Sequence, residues 1–307
     1  MKGIDRMKIT ITGQSGFVGT NLKNYLNSYK VEPLSIRYIP NQKIEINTEI
    51  VIHLAGKAHD LKKVSQPKDY YEANYELTQQ LFDSFLNSEA SVFIFISTVK
   101  AVADEVEGIV TEEMRPDPKT HYGISKLQAE EYILRKELPE GKRVYILRPC
   151  MIHGPGNKGN LNLLYQLVAK GFPWPLGAFE NQRSFLSIEN LCFVIKELLE
   201  QPNIPSGIYN VADDGYLSTN ELISILGESL GKKVSILKIP IKIIETIALF
   251  GDSLKLPLNK DKLQKLTESY MVSNKKIKKA IEKPLPVSSR EGLKNTFDFF
   301  RHNRQIN

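Results

Sequence analysis

Short apolar runs alternate with stretches of helical periodicity along the first half of the chain. Lys8–Thr12, Val31–Ile36, Ile50–Leu54, Val92–Ser97 and Val144–Leu147 read as strands. Asn21–Ser28, Tyr70–Leu86 and Tyr122–Lys136 read as helices. Val92–Ile96 is apolar at every position, as expected of a parallel strand covered on both faces. Strands separated by helices imply βαβ units, so the predicted class is α/β with a doubly wound parallel sheet. The link from Ile39 to Ile50 is too short for a full helix. A third strand over Lys43–Ile46 is therefore expected to turn directly into the fourth.

The pattern changes after about residue 155. Glycine and proline punctuate Gly154–Gly159 and Gly171–Gly177. Beyond them, Tyr209–Ala212 reads as a structural, strand-like stretch and Ser218–Leu230 as a helix. Ser218-Thr219-x-Glu221 is a capping signal rather than a site. Ile236–Phe250 is apolar but interrupted by Lys238, Lys242 and Glu245. It reads as an amphipathic helix, not a stable membrane span. Pro257–Lys265 reads as an irregular surface segment. The expected division is a cofactor-binding domain over 1–170 and a smaller mixed α/β substrate-binding region over 171–307, some of whose segments return to the first domain.

Composition narrows the function. Of 307 residues, 41% are hydrophobic and 25% charged, the balance of an ordinary globular enzyme. The net charge of +6 comes without basic runs interleaved with aromatics, so no nucleic-acid partner is expected. Small polyanions such as diphosphates suit it better. Cys150 and Cys192 form no C-x-x-C, and Met1–Arg6 lacks a signal peptide's apolar core. Both point to a reducing, cytoplasmic location. His53, His59, His121, His153 and His302 show no metal-ligand spacing, so no metal site is expected.

The first strand runs into Gly13-Gln14-Ser15-Gly16-Phe17-Val18-Gly19 and then a helix. Glycines there allow a tight turn whose backbone N–H groups, with the helix N-terminus, can receive a pyrophosphate. An acid at the tip of the second strand would favour NAD, and an arginine the 2′-phosphate of NADP. Here the strand leads to Arg37 with no acid at its tip, which favours NADP over NAD.

After the strand Val92–Ile96 come Ser97 and Thr98, and further on Tyr122-Gly123-Ile124-Ser125-Lys126. Residues four apart on a helix share a face. An ammonium beside a phenol stabilises its ionised form, so Tyr122 can exchange a proton with a hydroxyl while Lys126 sustains it. Thr98 would hold the substrate oxygen.

This ordered set resembles the extended short-chain dehydrogenase/reductases, the NAD-dependent epimerase/dehydratase family that acts on nucleotide sugars, with its Rossmann-type fold. The resemblance covers nearly the whole chain. It includes Gly13/Gly16/Gly19, His53-Leu54-Ala55-Gly56, Asn74, Ser97-Thr98, Tyr122/Lys126, Leu147-Arg148-Pro149, His153-Gly154-Pro155-Gly156 and Arg183-Ser184-Phe185. It implies that Ser15, Phe17, Val18, Leu54, Ala55, Gly56, Asn74, Ser97, Pro149 and Cys150 border the cofactor, with Tyr122 and Lys126 at the nicotinamide end. It implies that Asn160 and Arg183 hold the nucleotide diphosphate and that Trp174–Gly177 borders the base. Lys100 could meet a phosphate, and Trp174 could wall the cleft or anchor a packed loop. A homodimer through two helices per subunit is common in the family.

Ser97-Thr98-Val99-Lys100-Ala101-Val102 and Gln182-Arg183-Ser184-Phe185-Leu186 are most similar to the 4-ketoreductases of the UDP-N-acetylquinovosamine type. The expected function is therefore NAD(P)-dependent reduction of a UDP-4-keto-6-deoxy-hexosamine in bacterial surface polysaccharide synthesis. The alternatives are a UDP-hexose or UDP-N-acetylhexosamine 4-epimerase with tightly held NAD, and a non-catalytic NAD(P)-sensing protein. Retention of both Tyr122 and Lys126 counts against the last. A 4,6-dehydratase would need an acid pair after Thr98, where Val99-Lys100 stand.

Overall fold

A computed structural model describes residues 7–58, 66–157, 160–251 and 258–304. Met1–Arg6, His59, Gly159 and Pro257 lie outside the described residues, as does the side chain of Asn160. In chain order the cofactor half comprises β1 (Lys8–Thr12), α1 (Phe17–Tyr25), β2 (Lys30–Leu34), β3 (Ile50–His53) and α2 (Pro67–Tyr71). A π-helical turn, Glu72–Glu76, leads to α3 (Leu77–Leu86), and then come β4 (Val92–Ile96), β5 (Ile109–Val110), α4 (His121–Arg135) and β6 (Arg143–Pro149). The remainder is β7 (Met151–His153), α5 (Asn160–Ala169), β8 (Phe185–Ser187), α6 (Ile188–Glu200), β9 (Gly207–Val211), α7 (Thr219–Ser229), α8 (Ile241–Leu249), α9 (Lys260–Thr267), β10 (Met271–Val272), α10 (Lys275–Ile281) and α11 (Ser289–Arg304).

Six strands form one parallel sheet in the order β2-β1-β3-β4-β6-β9. β4 is wholly buried because both faces of the sheet are covered. One core packs Leu22 of α1 and Leu191, Ile195 and Leu198 of α6 against the sheet. The opposite face packs Leu81, Phe82 and Phe85 of α3 against Phe93 and Phe95. A third core, built from Trp174, Phe185, Leu222, Leu226, Leu293 and Phe297, fills the later half. Thr12 pairs with His53, and Ile96 with Leu147, so β1, β3, β4 and β6 end along one carboxyl edge. β1 connects outward to β2 and the chain then returns across β1 to β3. This reversal opens a crevice at that edge, where ligands of open α/β sheets bind.

Several expectations change. Helix α1 begins at Phe17 rather than Asn21. Lys43–Ile46 is not a strand: it has no ladder partner, and Ile44 and Ile46 simply turn inward onto the α3 side of the core. Lys260–Thr267, expected to be irregular, is helical, with the Asn259 side chain accepting from Lys262 N at 3.0 Å. Tyr70–Leu86 is interrupted by the π turn, which carries Asn74.

Candidate active site

The turn after β1 owes its glycines to two different causes. Gly13 has φ +69°, and a Cβ there would lie 2.8 Å from Ala55 N. At Gly19 a Cβ would lie 2.5 Å from Gln14 Cα. The chain's own packing therefore requires both. Gly16 is different: its φ is −75°, and a Cβ would meet only Gly13 O, at 3.2 Å. It is exposed and opens α1 with no side-chain cap and no acid in the first turn, so no side chain of the chain itself caps the first N–H groups of the helix. The donor set and the open side of Gly16 fit a pyrophosphate. Ser15 is exposed beside it, and Phe17 and Val18 are half-buried.

The loop after β3 is held from beneath. Thr12 Oγ1 accepts from Ala55 N at 3.1 Å and donates to His53 Nδ1 at 2.7 Å. Thr78 Oγ1 donates to Asn74 O, so His53 Nε2 must donate to Thr78 across 3.0 Å. The imidazole is thus neutral with its proton on Nε2. Burial, with the Lys126 charge adding, pushes its pKa down to about 3. Asn74 accepts from Lys57 N at 2.7 Å and donates to Lys57 O and to Ser125 Oγ at 3.0 Å each. This amide clamps the Leu54–Lys57 loop to α4.

Thr98, Tyr122 and Lys126 come together at the end of β4. Thr98 opens a 3-10 turn, its hydroxyl accepting from Lys100 N at 3.2 Å. Thr120 caps α4 by accepting from Gly123 N, which sets Tyr122 in the first turn. Burial raises the Tyr122 phenol above its ordinary pKa, and a hydrogen bond with Thr98 opposes that rise. Lys126, one turn on, donates from Nζ to Ile96 O at 2.9 Å and sits 4.6 Å from the Phe95 ring centroid. Burial lowers its pKa to about 8, against the pull of Glu130. A Cβ at Gly56 would lie 3.1 Å from Lys126 Nζ, so the glycine keeps the ammonium's surroundings open.

Beneath this trio lies a pair that the motif reading did not single out. Glu130 is 1% exposed and Arg148 2%. Arg148 Nε donates to both Glu130 oxygens at 3.0 Å, and Nη2 donates to Oε2 at 2.5 Å. Ser97 also donates to Glu130, so the hydroxyl that the resemblance placed along the cofactor is committed to this carboxylate. One signal was present: Tyr122, Lys126 and Glu130 follow at four-residue steps, which put an acid on the inward stripe of α4.

Pro149 and Cys150 follow at the end of β6. Cys150 is buried, its N–H donates to Val211 O at 3.2 Å, and burial holds its thiol neutral. Arg183 is fixed by Lys265 O at 2.6 Å and Glu268 at 3.4 Å. Lys100 lies 4.1 Å from the Tyr270 ring centroid and donates to Asp104 O at 2.5 Å. Burial lowers the Lys100 pKa, with Glu268 opposing that fall and Arg183 adding to it. Trp174 does not wall an open cleft. It is 3% exposed in the third core, and its indole donates to Asn220 at 3.0 Å. The Trp174–Gly177 stretch makes isolated β-bridges, Trp174 with Ile236 and Leu176 with Lys238. Asn160 begins α5. Arg37 stands exposed three residues past β2, with no hydrogen-bond or ion-pair partner among the described residues.

The profile of the NAD dependent epimerase/dehydratase family matches residues 40–212. The chain is 31% identical to a UDP-glucose 4-epimerase of Vibrio cholerae, with 95% of each chain covered. It is 26% identical to the GDP-6-deoxy-D-mannose reductase of Pseudomonas aeruginosa, covering 76% of this chain and 83% of that one. The fold superposes with a TM-score of 0.71 on RMD from Pseudomonas aeruginosa complexed with NADPH, at 21% identity over 96% of this chain and 99% of that one. The chain therefore belongs to the NAD dependent epimerase/dehydratase family, NAD-dependent enzymes that act on nucleotide sugars.

Proposed function

We propose that the chain reduces a UDP-linked 4-keto-6-deoxy-hexosamine at C4 with NADPH, in bacterial surface polysaccharide synthesis. The observation that carries this reading is the half-buried Tyr122 phenol, which the Thr98 hydroxyl influences, one helical turn from Lys126. A phenol is protonated at neutral pH, and in the reductive direction it can supply the proton that the new alkoxide needs. When bound, the cofactor supplies the hydride. Thr98 positions the carbonyl oxygen, Tyr122 O–H protonates it, and Lys126 holds the ribose and steadies the phenolate left behind.

In this reading residues 1–170 carry the cofactor. Gly13, Ser15, Gly16, Phe17, Val18 and Gly19 receive the pyrophosphate. Leu54, Ala55, Gly56, Asn74, Pro149 and Cys150 line its path, and Ser97 supports it through Glu130. Residues 171–307 with Lys100 carry the sugar nucleotide. Arg183 offers a planar fork to the diphosphate, with Asn160 assisting. The unpartnered Arg37 guanidinium supports a 2′-phosphate and hence NADPH.

The second reading, 4-epimerisation on retained NAD, is favoured by the identity to the Vibrio cholerae enzyme. The deciding assay adds UDP-4-keto-6-deoxy-hexosamine to purified protein with NADPH or NADH and follows the reduced-nicotinamide absorbance. The expected result is stoichiometric loss, faster with NADPH, with the NADPH advantage removed in Arg37→Ala and turnover removed in Tyr122→Phe. Interconversion of UDP-hexose isomers without added cofactor would establish the epimerase instead. Cofactor binding with no turnover of either kind would mark a sensor.

A further inference from the structure

An apolar helix normally buries its one hydrophobic face, but α8 has two. Ile244 and Ala248 pack inward on the third core. Ile243, Ile247 and Phe250, at i, i+4 and i+7, form a second stripe that faces outward, exposed by 52%, 43% and 56%. Leu249 and Ile241 flank it, also exposed. The approach to the helix continues the patch. Leu237 is exposed, and its N–H donates to Trp174 O at 2.8 Å, two residues from the exposed Phe172.

The patch is rimmed by positive charge. Phe172 and Pro173 line an open groove together with Lys232 and Lys233. Lys238 and Lys242 are exposed beside and on α8, and α9, packed against α8, presents Lys260 and Lys265. The segment 232–265 holds eight lysines against three acids, so most of the chain's net charge of +6 is concentrated there. None of these residues belongs to the catalytic cluster. Among the described residues, no helix is long and apolar enough to cross a membrane.

We infer that this face docks on an anionic lipid bilayer, with Ile243, Ile247, Leu249 and Phe250 entering the interface and the lysine rim meeting phosphate headgroups. The charge decides between occupants. A second copy would set one lysine rim against another, whereas anionic headgroups complement it. A short apolar stripe bordered by lysines is the composition of an element that lies in the interface plane rather than spanning it. Such docking would hold the enzyme at the surface on which membrane-bound glycan assembly proceeds.

The test is sedimentation of the full-length protein with vesicles of phosphatidylcholine alone, or with about one-third phosphatidylglycerol. The expected result is binding to the anionic vesicles at least tenfold stronger than to neutral ones. It should weaken at least tenfold as ionic strength rises from about 0.1 to about 0.5 M. Ile243→Asp with Phe250→Asp should abolish binding, and Lys232, Lys233, Lys238 and Lys242 changed together to Gln should weaken it tenfold. Both variants alter exposed side chains and should keep wild-type circular dichroism and wild-type turnover. Equal binding to neutral and anionic vesicles, or none to either, would overturn the inference. So would a concentration-dependent dimer in the wild type that Ile243→Asp dissociates, without vesicle binding.

Discussion

Replacing Glu130 by Gln separates what holds the fold from what supports catalysis. The carboxylate accepts from Ser97 and three times from Arg148, and both charged partners are within 2% of complete burial. Removing one partner of such a pair leaves a buried charge uncompensated, at a cost of about 3–5 kcal/mol. Arg148 Nη1 is already buried without a partner, so the guanidinium depends on Glu130 for compensation. For a chain of this length the loss corresponds to roughly 5–8 °C in midpoint temperature. Glu130 also favours the charged form of Lys126, so its loss should drive the Lys126 pKa below about 8 and reduce turnover at neutral pH. The informative comparison is Glu130→Leu combined with Arg148→Met, which removes both charges. Stability should return to within about 1 kcal/mol of wild type or exceed it, while the shift at Lys126 remains. Urea unfolding measures the first effect, and the pH profile of kcat/KM the second. If Glu130→Gln cost less than about 1 kcal/mol, or the double replacement were no more stable than the single one, the pair would not act as argued.

The glycine turn gives a paired test. Gly16→Ala should leave the midpoint of unfolding unchanged yet weaken NADPH binding, read by fluorescence titration, at least tenfold, whereas Gly19→Ala should cost about 1–3 kcal/mol through its clash with Gln14 and Gly13. Lys126 acts as the ammonium and titrates at about 8, so kcat/KM should be flat below that pH and fall above it; a profile flat from pH 7 to about 9 would refute the assignment. His53 is held at about 3, so the unfolded chain binds more protons between the ordinary histidine pKa and that value. Stability should therefore fall as pH drops through this window, by up to about 4 kcal/mol at its acid end, and His53→Gln should flatten the slope seen in urea unfolding.

The parts that the sequence made legible are those where one physical cause acts locally. β4 is apolar at every position because helices cover both of its faces, and that pattern needs no knowledge of its neighbours. Tyr122 and Lys126 share a face because they share a helix. Lys43–Ile46 misled for a related reason. Alternating Ile44 and Ile46 report inward-facing side chains, and burial alone does not create a ladder partner. Helix α9 buries only Leu263 among lysines and glutamine, so its periodicity is too thin to read, and its clearest signal is the Asn259 cap. Trp174 has no such local cause to decide it, because whether an indole faces a cleft or a core depends on where Asn220 lies.

Polar groups in the site show why the rest was hidden. Ser97 and Thr98 are neighbours on one strand end, where successive side chains take opposite sides. Their hydroxyls divide accordingly, Ser97 to Glu130 beneath the site and Thr98 to Tyr122 within it. No property of the Ser-Thr dipeptide assigns those destinations. They follow from the register that sets Ile96 beside Leu147 and brings Arg148 under α4, which buries Glu130 next to the Ser97 hydroxyl. Partner choice among buried polar groups is thus a consequence of sheet order. The strand order that opens the cofactor crevice also fixes the charge standing behind Lys126.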